Sequence, residues 1–245
     1  MSPVPSGAML GAILAVAAVL AGTPQDLAGR TVVIDPGHNG GNAAAPGAVN
    51  RHVGIGGGQT KACDTTGTAT NGGYSEARYA LAVSKELRRI LERHGARVVM
   101  TRTGNRGVGP CIDRRARIGN RAEADAAISV HADGGPSGGR GFHVIRPTRI
   151  AGLTDDIAGP SRRLARAVRD AYESHSGIPP ATYLGGDGIV ARSDIGGLRL
   201  SDVPKVLLET GNMRNAADAA VFTSRRGRQR IARAIFEGLR SFLSG

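Results

Sequence analysis

The chain has 245 residues, enough for one α/β domain with a sizeable core, and no period of 20–50 residues repeats, which excludes a solenoid. A formal net charge of +12 points to acidic partners: nucleic acid, an anionic membrane or an anionic cell-wall polymer. Aromatic residues are only 3% of the chain and tryptophan is absent, so the stacking platforms of single-strand nucleic-acid binders are missing and that class is set aside.

From the N-terminus, Ala8 to Ala21 is an unbroken run of apolar and small residues. It is short for a bilayer span but has the length of a signal-peptide hydrophobic region. Met1 to Gly7 carry no Lys or Arg. The reading is an export signal over residues 1–21, removed so that no stable membrane span remains; an uncleaved anchor is the alternative. Residues 22–30 follow as a short linker, and one folded domain occupies residues 31–245.

Thr31-Val32-Val33-Ile34 reads as a buried strand, stopped by Asp35-Pro36-Gly37-His38-Asn39-Gly40-Gly41. Residues 39–73, rich in Gly, Ala, Asn and Thr, form an insertion that leaves the sheet as a long excursion. Gly54-Ile55-Gly56-Gly57-Gly58 within it invites a dinucleotide reading, but Gln59 stands where the last glycine of G-x-G-x-x-G belongs. Cys63 and Cys111 are the only cysteines. In an exported protein they form one disulfide; in a reducing compartment they stay as two thiols.

Ser75 opens a helix as a candidate cap, with Leu81, Leu87, Ile90 and Leu91 at helical spacing up to His94, and Gly95 closes it. Arg97–Thr101 reads as a strand, Ile112–Ala124 as an arginine-rich helix, and Ala126–Val130 and Gly141–Ile145 as strands. A helix covers about Asp155 to Ser174. Ile178–Leu200 is Gly- and Pro-rich and resists assignment beyond one strand at Gly188–Arg192. Pro204–Thr210 is the last core strand, and Ser224–Phe242 the closing helix. Strands alternating with helices predict a single α/β domain with a mostly parallel or mixed central sheet of about six strands and helices on both faces. Ligands in such sheets bind beyond the carboxyl ends of the strands.

Four groups converge on that edge. His38 follows the first strand, His131 ends the third within Ser129-Val130-His131-Ala132-Asp133, and Glu209 ends the last within Leu208-Glu209-Thr210-Gly211-Asn212. Glu76, in the first turn of the helix after the excursion, can reach it. Two imidazoles and a carboxylate form a catalytic zinc set with one position open for water, and a further carboxylate can take the water's proton and deliver it to a leaving amine. H-E-x-x-H and G-x-S-x-G are absent, which excludes the common local signatures of zinc peptidases and serine hydrolases.

These stretches, with Thr101-Arg102, Arg115, Asn120 and Val203–Gly211, occur in an order that resembles the zinc-dependent N-acetylmuramoyl-L-alanine amidase family, of the AmiC-like type 3 catalytic domain. The resemblance covers nearly the whole chain after the export segment. It implies a Zn2+ hydrolase that cuts the amide between N-acetylmuramic acid and L-alanine in peptidoglycan. By the same resemblance His38, Glu76 and His131 bind zinc, Glu209 is the catalytic acid/base, and Arg102, Arg115 and Asn120 are structural or substrate-side. The expected protein is a monomer acting on muropeptides in the periplasm, cell wall or extracellular space. The 39–73 insertion is longer than the family leads one to expect, and Asn212 stands where a hydrophobic residue is common. Two other functions fit part of the pattern: a non-catalytic binder of anionic wall polymer, and a zinc peptidase cutting within the stem peptide.

Overall fold

The computed structural model describes Met1 and residues 25–245, so the export segment read at residues 1–21 lies, Met1 apart, outside the described residues. In chain order the sheet strands are β1 (Thr31–Pro36), β4 (Arg97–Met100), β5 (Ala126–Asp133), β6 (His143–Pro147), β7 (Ile189–Arg192) and β8 (Lys205–Asn212). The excursion holds a short helix α1 (Pro46–Val49) and the two-stranded hairpin β2 (His52–Gly54) and β3 (Thr60–Ala62). The remaining helices are α2 (Glu76–Arg93), α3 (Ile112–Arg121), α4 (Ala158–Ser176), α5 (Gly196–Arg199), α6 (Ala216–Thr223) and α7 (Arg225–Leu243).

The sheet order is β4-β1-β5-β8-β6-β7. β1 runs parallel to β4 and β5, and β5 to β8; β6 is antiparallel to β8, and β7 parallel to β6. The parallel strands are the apolar runs of the sequence, as strands covered on both faces must be. On one face Val32, Ile34, Ile128, Val130, Val206 and Leu208 join the main core under α2, α4 and α7. The opposite face is thinly covered: Val33 and Ala127 pack with Ala122, Ala124 and Val203, and Ile145 and Leu207 pack with Leu198 of α5. That thin face is where the polar side chains of β1, β5 and β8 emerge.

Several local expectations change. Ser75 occupies the N-cap of α2, but its hydroxyl makes no capping bond; the Glu76 N–H donates to Thr68 O of the preceding loop. Working caps occur at Asn215 on α6 and Ser224 on α7. α3 stops three residues earlier than read, at Arg121, and α4 starts three later, at Ala158. Residues 26–29 form a turn whose Leu27 is fully buried and donates its N–H to His94 O, so this part of the stretch read as a linker packs on the end of α2. Among the described residues no helix is long and apolar enough to cross a membrane.

Candidate active site

Asp35 anchors the site from below. It is buried at the end of β1, with Lys205 Nζ at 3.1 Å, Arg115 Nη1 at 2.8 Å, Thr101 Oγ1 at 2.6 Å and Ser129 Oγ at 3.1 Å. Burial alone would raise the Asp35 pKa, but the Lys205 and Arg115 cations hold it well below the usual carboxylate range. The chain then turns sharply, and His38 adopts φ 54°, an uncommon conformation for a non-glycine residue.

Two buried arginines hold that turn by its carbonyl oxygens. Arg102 donates to Pro36 O at 3.0 Å, Gly37 O at 2.8 Å and Ala77 O in α2 at 2.7 Å. Arg115 donates to Pro36 O at 2.6 Å and His38 O at 2.8 Å, and to the Asn39 side chain at 3.0 Å. The planar, five-donor guanidinium suits this task; an ammonium could not span so many acceptors. Both arginines are therefore structural supports, while Asn120 stands farther off, tying α3 to Leu200 O and Asp202.

His38, Glu76 and His131 come together, each offering one ligand atom within 4.8 Å of the others. Glu76 Oε1 is 3.1 Å from His38 Nε2 and 2.8 Å from His131 Nδ1. The second Glu76 oxygen accepts the Thr68 N–H at 3.0 Å, and Oε1 also accepts the Ala132 N–H at 3.2 Å, so the carboxylate is fixed in orientation. His38 Nδ1 lies 3.0 Å from Thr65 O, which fixes that nitrogen as the donor and leaves Nε2 to face the cluster. Burial opposes charge on His38, but hydrogen bonds to Asp64 and Glu76 outweigh it and raise its pKa to about 10. The atoms that share protons here are the donors that a divalent cation takes.

The surroundings fit a cation of that size. A Cβ on Gly67, whose φ is +72°, would lie 2.7 Å from His38 Cδ2 and 2.8 Å from Glu76 Oε2; one on Gly37 would lie 2.4 Å from the His131 ring. Both glycines are required by the close approach of backbone to the His38, Glu76 and His131 side chains. Two nitrogens and one carboxylate on three separate elements suit Zn2+ with an open fourth position.

Glu209 lies on β8 in register with His131 on β5 and faces the same cleft, which is also lined by Thr66, Thr68 and Gly134. Its Oε2 is buried without a hydrogen-bond partner. Burial, with the Glu76 and Asp133 carboxylates adding, pushes the Glu209 pKa well above the usual range. The two histidines also border a cavity of about 420 Å³, lined by Ile112, Ile195, Leu198 and Leu207 together with Lys61. The cluster thus borders both a polar cleft and an apolar recess.

The excursion forms one wall of that recess. Cys63 and Cys111 are bonded to each other across 48 residues, joining the end of β3 to the start of α3. Arg199 of α5 holds the glycine-rich turn through Ile55 O at 2.9 Å and Gly56 O at 3.1 Å. The residue missed by sequence reasoning is Asp64. It contacts His38 Nδ1 at 3.3 Å, Asn39 Nδ2 at 2.8 Å and Arg115 Nη2 at 3.4 Å, and its only signal was its place next to a bridged cysteine.

A mixed α/β sheet carrying a His-Glu-His cluster and a nearby acid defines a metallohydrolase-like centre. The chain belongs to the N-acetylmuramoyl-L-alanine amidase family, whose model matches residues 32–241, and it is accordingly an amide hydrolase of that class. It is 42% identical over 238 residues to the N-acetylmuramoyl-L-alanine amidase Rv3717 of Mycobacterium tuberculosis, covering 97% of this chain and 96% of that one. Among solved structures it is similar to the N-acetylmuramyl-L-alanine amidase Ami1 of Mycobacterium smegmatis, with 44% identity, a TM-score of 0.83, and coverage of 89% and 98%. The apo form of Ami1 from Mycobacterium abscessus gives 45% identity and a TM-score of 0.83 over 89% of this chain and all 100% of that one.

Proposed function

We propose that this chain is an exported, zinc-dependent hydrolase that cleaves the amide between the lactyl group of N-acetylmuramic acid and L-alanine in peptidoglycan, freeing the stem peptide. The observation that carries it is the convergence of His38 Nε2 and His131 Nδ1 on one Glu76 oxygen, at 3.1 and 2.8 Å, with Glu209 in register beside them. The family and its mycobacterial relatives support the choice of bond.

In this reading His38, Glu76 and His131 hold zinc. When bound, the ion supplies Lewis-acid polarisation of a carbonyl and lowers the pKa of water toward ~7. The chain supplies the rest. Arg102 and Arg115 fix the His38 turn by its carbonyls, and the Thr65 carbonyl keeps Nε2 of that ring free. Glu209 lines the cleft and carries one proton, removing it from the attacking water and returning it to the L-alanine nitrogen as the C–N bond breaks. Its raised pKa suits both halves of that task, and such acid–base catalysis contributes roughly 10²–10⁴-fold.

Residues 1–21 are proposed as the export signal, residues 31–245 as the catalytic domain with its insertion at 39–73, and the working form as a monomer in the envelope. Digestion of a defined muropeptide by zinc-loaded protein, followed by mass spectrometry, tests the reading. A free muramic carboxyl and a peptide beginning with L-alanine are expected, with Glu209→Gln retaining zinc and losing turnover. A shortened stem peptide would identify a peptidase instead, and no cleavage by the metal-loaded protein would leave only binding of wall polymer.

A further inference from the structure

Glu209 has a second imidazole beside it. In the sheet register it is paired with His131 on β5 to one side and with His143 on β6 to the other. His143 shares its face with Ile145, and Glu209 with Leu207; those two apolar residues pack together, so both polar side chains emerge on the thinly covered face. Residues directly opposite on antiparallel strands bring their Cβ atoms to about 4.5–5.5 Å. His143 is only 6% exposed and stands outside the His38–Glu76–His131 cluster.

Each of these two neighbours has one buried polar atom with nothing to bond: Nδ1 of His143 and Oε2 of Glu209. Buried polar atoms are almost always paired, and two orphans on directly opposed residues are matched as donor and acceptor. A direct bond or one intervening water is the pairing that this placement invites.

The electrostatic setting asks for such a donor. Glu209 is faced by the carboxylates of Glu76 at the start of α2 and Asp133 at the end of β5. It is also faced by His38 after β1, by His131 on β5 and by Arg192 on β7. Burial lowers the His143 pKa, with Arg192 adding to the effect and Asp133 opposing it. The ring is thereby kept neutral, and a neutral imidazole still has one N–H to give.

We propose that His143 is a positioning residue for Glu209: its Nδ1–H donates to Oε2 and orients the carboxyl so that the other oxygen faces the cleft. This rests on Glu209 being the catalytic acid/base. The hydrogen bond holds the reacting oxygen in place without touching substrate or the metal ligands, so its loss slows turnover and leaves substrate binding alone.

The experiment compares His143→Leu, His143→Asn and His143→Gln as zinc-loaded proteins, measuring kcat, KM, zinc per chain and melting temperature on one muropeptide. His143→Leu is expected to lose roughly 10–100-fold in kcat with KM and zinc content within about twofold of the parent. His143→Asn, whose amide nitrogen stands where Nδ1 does, should recover several-fold over Leu, and His143→Gln, which mimics the other ring nitrogen, should not. A folded, zinc-loaded Leu variant with parental kcat overturns the proposal. So does an Asn variant no faster than Gln, a comparison that holds even if the Leu variant fails to fold. Glu209→Gln is assayed alongside. Parental turnover there overturns the acid/base reading itself, whereas a dead Glu209→Gln beside a fully active His143→Leu overturns only the present inference.

Discussion

Replacing Arg115 with alanine tests how the His38 turn is held. Arg115 is 4% exposed and donates to five acceptors within 3.0 Å: Asp35 Oδ1, Asn39 Oδ1 and the carbonyls of Pro110, Pro36 and His38. Removing it leaves Asp35 with Lys205 as its only cation and Asp64 with none but His38. Breaking a buried ion pair from one side costs about 3–5 kcal/mol, because the remaining charge stays buried. For a domain of this size that corresponds to a melting temperature lower by about 6–20 °C. Loss of the support behind a metal-binding histidine weakens metal affinity by about 10–100-fold. Differential scanning calorimetry of the metal-free protein and a competitive zinc titration read the two effects separately. Arg115→Lys should recover little, since an ammonium cannot reproduce the fork. A variant that melts within about 2 °C of the parent and binds zinc equally well would refute the claim that Arg115 holds this turn.

Gly67→Ala places a methyl 2.7–2.8 Å from His38 and Glu76 at a φ of +72°, so zinc affinity should fall by about tenfold or more; an unchanged titration would contradict the close approach. Asp35 is held below its unfolded pKa of about 3.9, so its contribution is full above that pH and is lost as pH falls through and below it. Asp35→Asn should therefore be less stable at pH 7 yet show a flatter loss of urea midpoint between pH 4 and 2, and parallel curves for parent and variant would count against the sign. The double change Cys63→Ser with Cys111→Ser opens a 48-residue loop and should cost about 4 kcal/mol in urea unfolding. A loss below about 1 kcal/mol would show that the bridge adds little to constraint of the unfolded chain.

The inner strands were legible because burial on both faces writes them as apolar runs: Val32-Val33-Ile34 and Val206-Leu207-Leu208 could hardly be anything else. His131 and Glu209 were legible as polar residues interrupting such runs near their carboxyl ends. Strand direction was not. Nothing in Phe142–Ile145 or Ile189–Arg192 states that these strands run against the other four, because direction follows from how the connections close. The four-residue helices at Pro46 and Gly196 are too short to show a period. Ser75 misled because residue type marks where a helix begins and not whether the cap bonds: it stands at the N-cap of α2, yet its hydroxyl accepts from neither Ala77 nor Arg78. Asp64 was invisible, and the two arginines were marked only by the resemblance: the partners across the site lie 51 to 80 residues away for Arg115, and 65 or 66 for Arg102 within the His38 turn.

The two arginines grasp the Pro36–His38 segment by main-chain oxygens, an attachment that any amino acid offers. It therefore dictates the path of the segment without calling on its side chains. What restricts the residues that follow is packing: Asn39 is buried between Asp64 and Arg115, and a side chain on Gly40 would run into the Asn105 backbone. Gly37 is closed in the same way, since the His131 ring already fills the space that any larger residue needs.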